Sequence, residues 1–71
     1  MRTVFIEKEP ILLGQFLKFV GIITNGGEAK IFLLDAVVKV NNVTENRRGK
    51  KLFNNDLVEI NKEKYKIVLK K

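Results

Sequence analysis

The sequence predicts an α+β fold, with two short helices packed on a small antiparallel sheet of about four to five strands. Apolar residues recur at helical spacing twice, over Ile11 to Val20 and again over Ala29 to Ala36. Beyond Ala36 they recur in short alternating runs separated by asparagine-rich turns, which is the pattern of antiparallel strands. With a strand ahead of the helices, and no repeat, linker or low-complexity segment to cut the chain, the order is that of one α+β domain spanning 1–71.

Thr3 to Ile6 opens the chain as a strand, with Val4 and Ile6 on one face and Phe5 on the other. Glu7, Lys8 and Glu9 break the alternation, and Pro10 suits the first turn of a helix, where its missing N–H costs nothing. In that helix Leu12, Leu13, Phe16, Leu17 and Val20 form an apolar stripe opposite Gly14, Gln15 and Lys18, and Gly21 ends it. Thr24-Asn25-Gly26-Gly27 then turns the chain, with Thr24 or Asn25 able to cap the next helix and Glu28 three residues after Asn25, as in a capping box. The Gly26-Gly27 pair lacks the longer glycine pattern and the Lys-Ser/Thr ending of a phosphate loop.

Ala29, Phe32, Leu33 and Ala36 give the second helix one buried stripe, leaving Glu28 and Lys30 outward. Lys30 falls in its first turn, where the helix dipole disfavours a cation, a mild cost that hints at a phosphate neighbour. Val38 and Val40 point inward with Lys39 outward, and Asn41-Asn42 supplies two residues tolerant of positive φ for a hairpin turn into Val43 and Thr44. Glu45 to Lys51 is a basic loop, in which Gly49 allows a bend or a close approach to a ligand. Leu52 and Phe53 return to the core, Asn54-Asn55-Asp56 turns again, and Leu57 to Ile60 is a strand with Val58 and Ile60 sharing a face. Asn61-Lys62-Glu63 leads into a last strand where Tyr65, Ile67 and Leu69 alternate with Lys64, Lys66 and Lys70, and Val68, which breaks the alternation, is assigned to neither face.

Composition narrows the chemistry. A chain of 71 residues can bury only about 60% of its unfolded surface, so nearly every large apolar side chain is needed for one core and few remain for a substrate pocket. Cysteine, histidine and serine are absent, which removes disulfides, the commonest metal ligands, the commonest general base and any serine-centred triad. The eight carboxylates are scattered, and Glu7 and Glu9 beside Lys8 read as a solvated rim. No catalytic residue, metal site or cofactor is therefore expected. The lack of cysteine in so small a domain, with no apolar run near the roughly 20 residues of a membrane span and no signal peptide, points to the cytoplasm.

The net charge is +6, from 14 basic and 8 acidic residues. Arg47, Arg48, Lys50 and Lys51 supply +4 of it, leaving ten basic against eight acidic residues elsewhere. A field so concentrated favours a polyanion, with arginine gripping phosphate or a base edge through two bonds and lysine acting as a mobile point charge. The five phenylalanines mostly fall where core is expected, so a stacking platform for single strands is disfavoured and recognition of phosphates and shape is favoured.

The run GGEAKIFLLDAVVKVNNVTENRRGKKLFNNDLVEI resembles the small RNA-binding domain named after ribosomal small-subunit protein S-four, in which two short helices precede a strand reading V-x-V-N-G. Glu28-Ala29-Lys30, Val38-Lys39-Val40-Asn41, Glu45 with Arg47, and Asp56 fall at that family's spacing, and in length and element order the chain looks like its short stand-alone YaaA/YbcJ-type members. The chain departs from the pattern at Ala36, Asn42 and Asn55, where the family usually has glycine. The resemblance implies an S-four-like fold built on an alpha-L motif. It also implies RNA binding, to structured and most plausibly ribosomal RNA, through the outer faces of both helices and the hairpin loop. On that basis Lys18, Lys30 and Lys39 join Arg47, Arg48, Lys50 and Lys51, with Asn25 as a backbone contact. A monomer acting in ribosome assembly or association is the expectation. An adaptor docking an acidic protein surface and a double-stranded DNA binder are its rivals.

Overall fold

The computed structural model describes residues 1–70. The elements are β1 (Arg2–Ile6), β2 (Ile11–Leu12), α1 (Leu13–Phe19), α2 (Glu28–Asp35), β3 (Val38–Val40), β4 (Val43–Thr44), β5 (Lys51–Leu52), β6 (Leu57–Ile60) and β7 (Glu63–Leu69). A five-stranded sheet in the order β1-β7-β6-β3-β4 carries the fold, and β2 and β5 form a separate two-stranded ribbon. The expected α+β class and strand number hold. The sheet is mixed rather than wholly antiparallel, because the first strand lies parallel to the last, with Val4 opposite Ile67.

One face of this sheet is apolar and covered. Val4, Ile6, Val38, Val40, Val58, Ile60, Tyr65 and Ile67 are buried on it against Leu13, Phe16 and Leu17 of α1 and Ala29 and Leu33 of α2. Phe16 meets Tyr65 edge to face, with ring centroids 5.6 Å apart, the favoured geometry for an aromatic pair. The opposite face carries the alternate residues, and it resolves Val68, which lies beside Phe5 across the β1/β7 pair.

Local chemistry accounts for most boundaries. Asn41 and Asn42 take positive φ (51° and 68°) in the two-residue turn that sets Val40 against Val43. Asn61 and Lys62 do the same between β6 and β7. α1 ends in a Schellman arrangement, with Gly21 at φ 82° donating to the Lys18 carbonyl and Ile22 donating to that of Leu17. α2 ends differently, since Ala36 is extended (φ −76°, ψ 146°), a backbone that needs no glycine.

Two sequence expectations are corrected. The first helix begins at Leu13 rather than Ile11, and Pro10 lies in the preceding segment, because Ile11 and Leu12 are drawn into pairing with Leu52 and Lys51. Phe53 stays 45% exposed while Leu52 is fully buried, because alternation along the chain sends the two to opposite sides.

Candidate nucleic-acid interface

The basic loop is fixed by its backbone. A seven-residue helix such as α1 leaves its first amide donors without partners inside the helix. Two of them are satisfied by the loop: Leu13 donates to the Lys50 carbonyl (2.8 Å) and Gly14 to the Arg48 carbonyl (2.9 Å). The Gln15 side chain completes the end by accepting from the Leu12 amide at 3.0 Å, half of a capping box. β5, which follows the loop, pairs with β2, which leads directly into α1, so the loop is anchored there as well. Arg47 to Lys50 itself closes as a turn, the Lys50 amide donating to the Arg47 carbonyl at 3.1 Å.

Three elements meet closely at Gly14. A Cβ there would stand 3.4 Å from the Cβ atoms of both Ala29 and Arg48, so α1, α2 and the loop converge on the one residue without a side chain. Around it Gly26, Ala29, Arg48 and Gly49 line a shallow depression. Nothing lies within 4 Å of where a Gly49 Cβ would be, so the loop backbone there is open to an approaching ligand.

The loop cations differ in their freedom. Arg47 is held by Glu45, with Nε to Oε2 at 3.0 Å and Nη2 to Oε1 at 3.2 Å, and its amide donates to the same carboxylate. Those bonds, the side-chain fork first, hold the Glu45 carboxyl at about 2 and raise Arg47 above its ordinary value. Among the described residues this is the one ion pair, so Arg48, Lys50 and Lys51 are bonded to no carboxylate, although the Lys50 charge lies near enough to Glu45 to help lower its pKa. Arg48 and Lys51 are exposed and Lys50 is half-buried.

The remaining expected contacts spread outward from this loop. Lys30 is exposed in the first turn of α2, next in sequence to the buried Ala29. Ahead of it the Glu28 carboxylate accepts from the amides of Thr24 and Asn25 and from the Thr24 hydroxyl, bonds that lower its pKa. Thr24 and Asn25 thus bind Glu28 through their own donors instead of capping α2, whose N-cap is Gly27. Lys18 lies on the far side of α1, in a groove against β1 that Gln15 links to the depression beside Arg48. Lys39 stands apart, between the buried Val38 and Val40, and therefore on the sheet face opposite the helices, with Thr44 and Glu59 as cross-strand neighbours.

Sequence reasoning overlooked part of this surroundings. Phe5 and Phe19, two of the five phenylalanines that mostly fall where core is expected, are 58% and 60% exposed. One lies on the uncovered sheet face and the other at the end of α1, and a domain this small has more periphery than apolar residues can vacate. Gly14 and Gln15, read as the plain polar side of the helix, are the residues that seat the loop.

A backbone-anchored basic loop is thus set across the ends of two short helices of a small α+β domain. The S4 domain family model matches residues 4–68, and the chain belongs to that family. It is also 53% identical over 55 residues, 78% of each chain, to a Bacillus subtilis (strain 168) protein named "Probable ribosome maturation protein RlbA".

Proposed function

We propose that this protein binds structured ribosomal RNA in the cytoplasm and acts, without catalysis, in ribosome maturation. The observation that carries the reading is the contrast between backbone and side chains in the basic loop. Its carbonyls at Arg48 and Lys50 are spent on α1, while the side chains of Arg48, Lys50 and Lys51 have no acidic partner. A loop whose backbone is already ordered loses little further backbone entropy when its side chains meet a phosphate backbone. Family membership and the maturation role named for the B. subtilis relative support RNA over other polyanions.

In this reading Arg48, Lys50 and Lys51 contact phosphates, Lys30 and Lys18 extend the contact along the helices, and the Asn25 side chain adds a contact to the RNA backbone near the start of α2. Arg47 and Lys39 contribute less, the first because Glu45 neutralises it and the second because it lies on the other face of the sheet.

A salt titration against a duplex RNA tests this. Five phosphate contacts predict a slope of log affinity on log salt of roughly −3.5 to −4.5, at about 0.7 to 0.9 per contact. Matched DNA duplex should compete poorly, and the protein should sediment with ribosomal particles at low salt. A slope near zero, equal competition by DNA, or exclusion from particles would each defeat the assignment.

A further inference from the structure

A second groove runs along α1 from the depression beside Arg48. The end of β1, the Glu7–Pro10 segment and the outer side of α1 border an open groove of about 670 Å³. Phe5 and Phe19 both line it. At 58% and 60% exposure they leave apolar rings in water in a chain with little core to spare. Neither ring is spent on another aromatic, since Phe16 with Tyr65 is the one close ring pair among the described residues.

The rim of the groove is cationic. Lys8, Lys18 and Lys70 line it with a single acid, Glu7, and among the described residues none of the three lysines forms an ion pair. Lys70 is held in place by its backbone, its amide donating to the Ile6 carbonyl at 2.7 Å. Two unpaired aromatic rings with lysines around them match a nucleobase with its flanking phosphates, because every base offers a π-face and stacking is independent of sequence. A purely apolar protein segment would use the floor but leave three lysines beside it without partners. Gln15 lines both this groove and the depression at Arg48, so the two sites are continuous along α1.

We propose that the groove between β1 and α1 receives an unpaired nucleotide of the RNA whose helical part is gripped by the basic loop, with Phe5 and Phe19 stacking on the base and Lys8 and Lys70 holding the adjoining phosphates. This rests on the RNA-binding reading above and adds to it a preference for a bulge or a strand end over an uninterrupted duplex.

Two RNA hairpins of identical stem, one carrying a single unpaired adenosine and one fully paired, separate the possibilities in fluorescence-anisotropy titrations of the full chain. The wild-type chain should favour the bulged hairpin by about fivefold to a hundredfold, the usual worth of one base–aromatic stack. 2-Aminopurine at the bulge should change its fluorescence on binding. The double variant Phe5→Ala/Phe19→Ala should bind the paired hairpin as the wild type does and lose both the preference and the fluorescence change. Lys8→Gln/Lys70→Gln, which alters no buried side chain, should narrow the preference and guards against a folding defect in the aromatic variant. Equal binding of the two hairpins by the wild type, as expected of a groove that takes a protein segment, overturns the proposal while leaving the basic loop as an RNA site. A preference that survives in both variants overturns it as well. Failure to bind either hairpin overturns the RNA-binding reading and the groove together.

Discussion

Arg47 and Glu45 form a two-bond fork two residues apart in the chain, with Nε–Oε2 at 3.0 Å and Nη2–Oε1 at 3.2 Å. The arginine that sequence alone would rank equal to its neighbour is therefore half spent, whereas Arg48 has its carbonyl on α1 and its guanidinium free. Arg48→Ala should weaken RNA affinity by at least several-fold and reduce the magnitude of the salt slope by about 0.7 to 0.9, the share of one phosphate contact. Arg47→Ala should cost less on both counts, because its guanidinium is already engaged by Glu45. Anisotropy titrations at several salt concentrations compare the two directly.

The same pair makes the loop acid-sensitive in a defined direction. Glu45 has an ordinary value of 4.5, and in the folded chain it is held at about 2, chiefly by the Arg47 side chain. A carboxyl lowered by folding contributes stability that is fully present above its unfolded value and is lost as pH falls through its folded value. The melting-temperature difference between wild type and Glu45→Gln should thus be constant above about pH 4.5 and shrink towards zero as pH approaches 2. A difference that does not vary over that window would show that the fork does not persist in solution.

How much of this could be read beforehand depended on whether the cause was local. Asn41, Asn42 and Asn55 were legible as turns because tolerance of positive φ is a property of the residue itself. The burial of Val38 and Val40 around Lys39 followed from alternation in the same way. Ile11 and Leu12 misled because their spacing suits a helix, and only the distant Leu52 and Lys51 draw them into a ribbon. The parallel partnership of β1 with β7 was hidden for the same reason, and with it the position of Val68. At the candidate interface the cationic residues were visible by type. Which of them Glu45 neutralises, and which face holds Lys39, depended on turn geometry and on the sheet.

Gly14 offers a graded test of the junction that seats the loop. An added Cβ would reach ordinary contact with Ala29 and Arg48 at 3.4 Å, so Gly14→Ala should change stability by no more than about 1 kcal/mol, helped by the better helix propensity of alanine. Gly14→Leu carries atoms into space that α2 and the loop already fill. It should cost about 1–3 kcal/mol, as overpacking usually does, and weaken RNA binding by displacing Arg48. Thermal unfolding and binding measured on the same samples would separate these effects. If Gly14→Leu binds as the wild type does, the loop does not depend on its seat against α1.

Asn41 does more than permit a turn, and its neighbour provides the control. Its side chain accepts from the Leu57 amide at 2.9 Å and donates to Asp56 at 3.1 Å, while its own amide donates to the Leu57 carbonyl at 2.7 Å. Asp56 in turn accepts from the Phe53 amide at 2.7 Å, so one asparagine and one aspartate join the β3–β4 turn to the turn ahead of β6. Asn42 shares the positive φ, at 68°, but makes no such link. Asn42→Gly should therefore be close to neutral, since glycine adopts that backbone freely and the loss is the added freedom of the unfolded chain. Asn41→Gly keeps the backbone permissive but removes both side-chain bonds, and should cost about 0.5–1.5 kcal/mol, the net worth of hydrogen bonds whose groups water can reach. Asp56→Ala should cost a similar amount, and the double variant should fall short of the sum because both changes break one network. Denaturant unfolding of the four chains closes this cycle, and strict additivity would mean that the two turns are held independently.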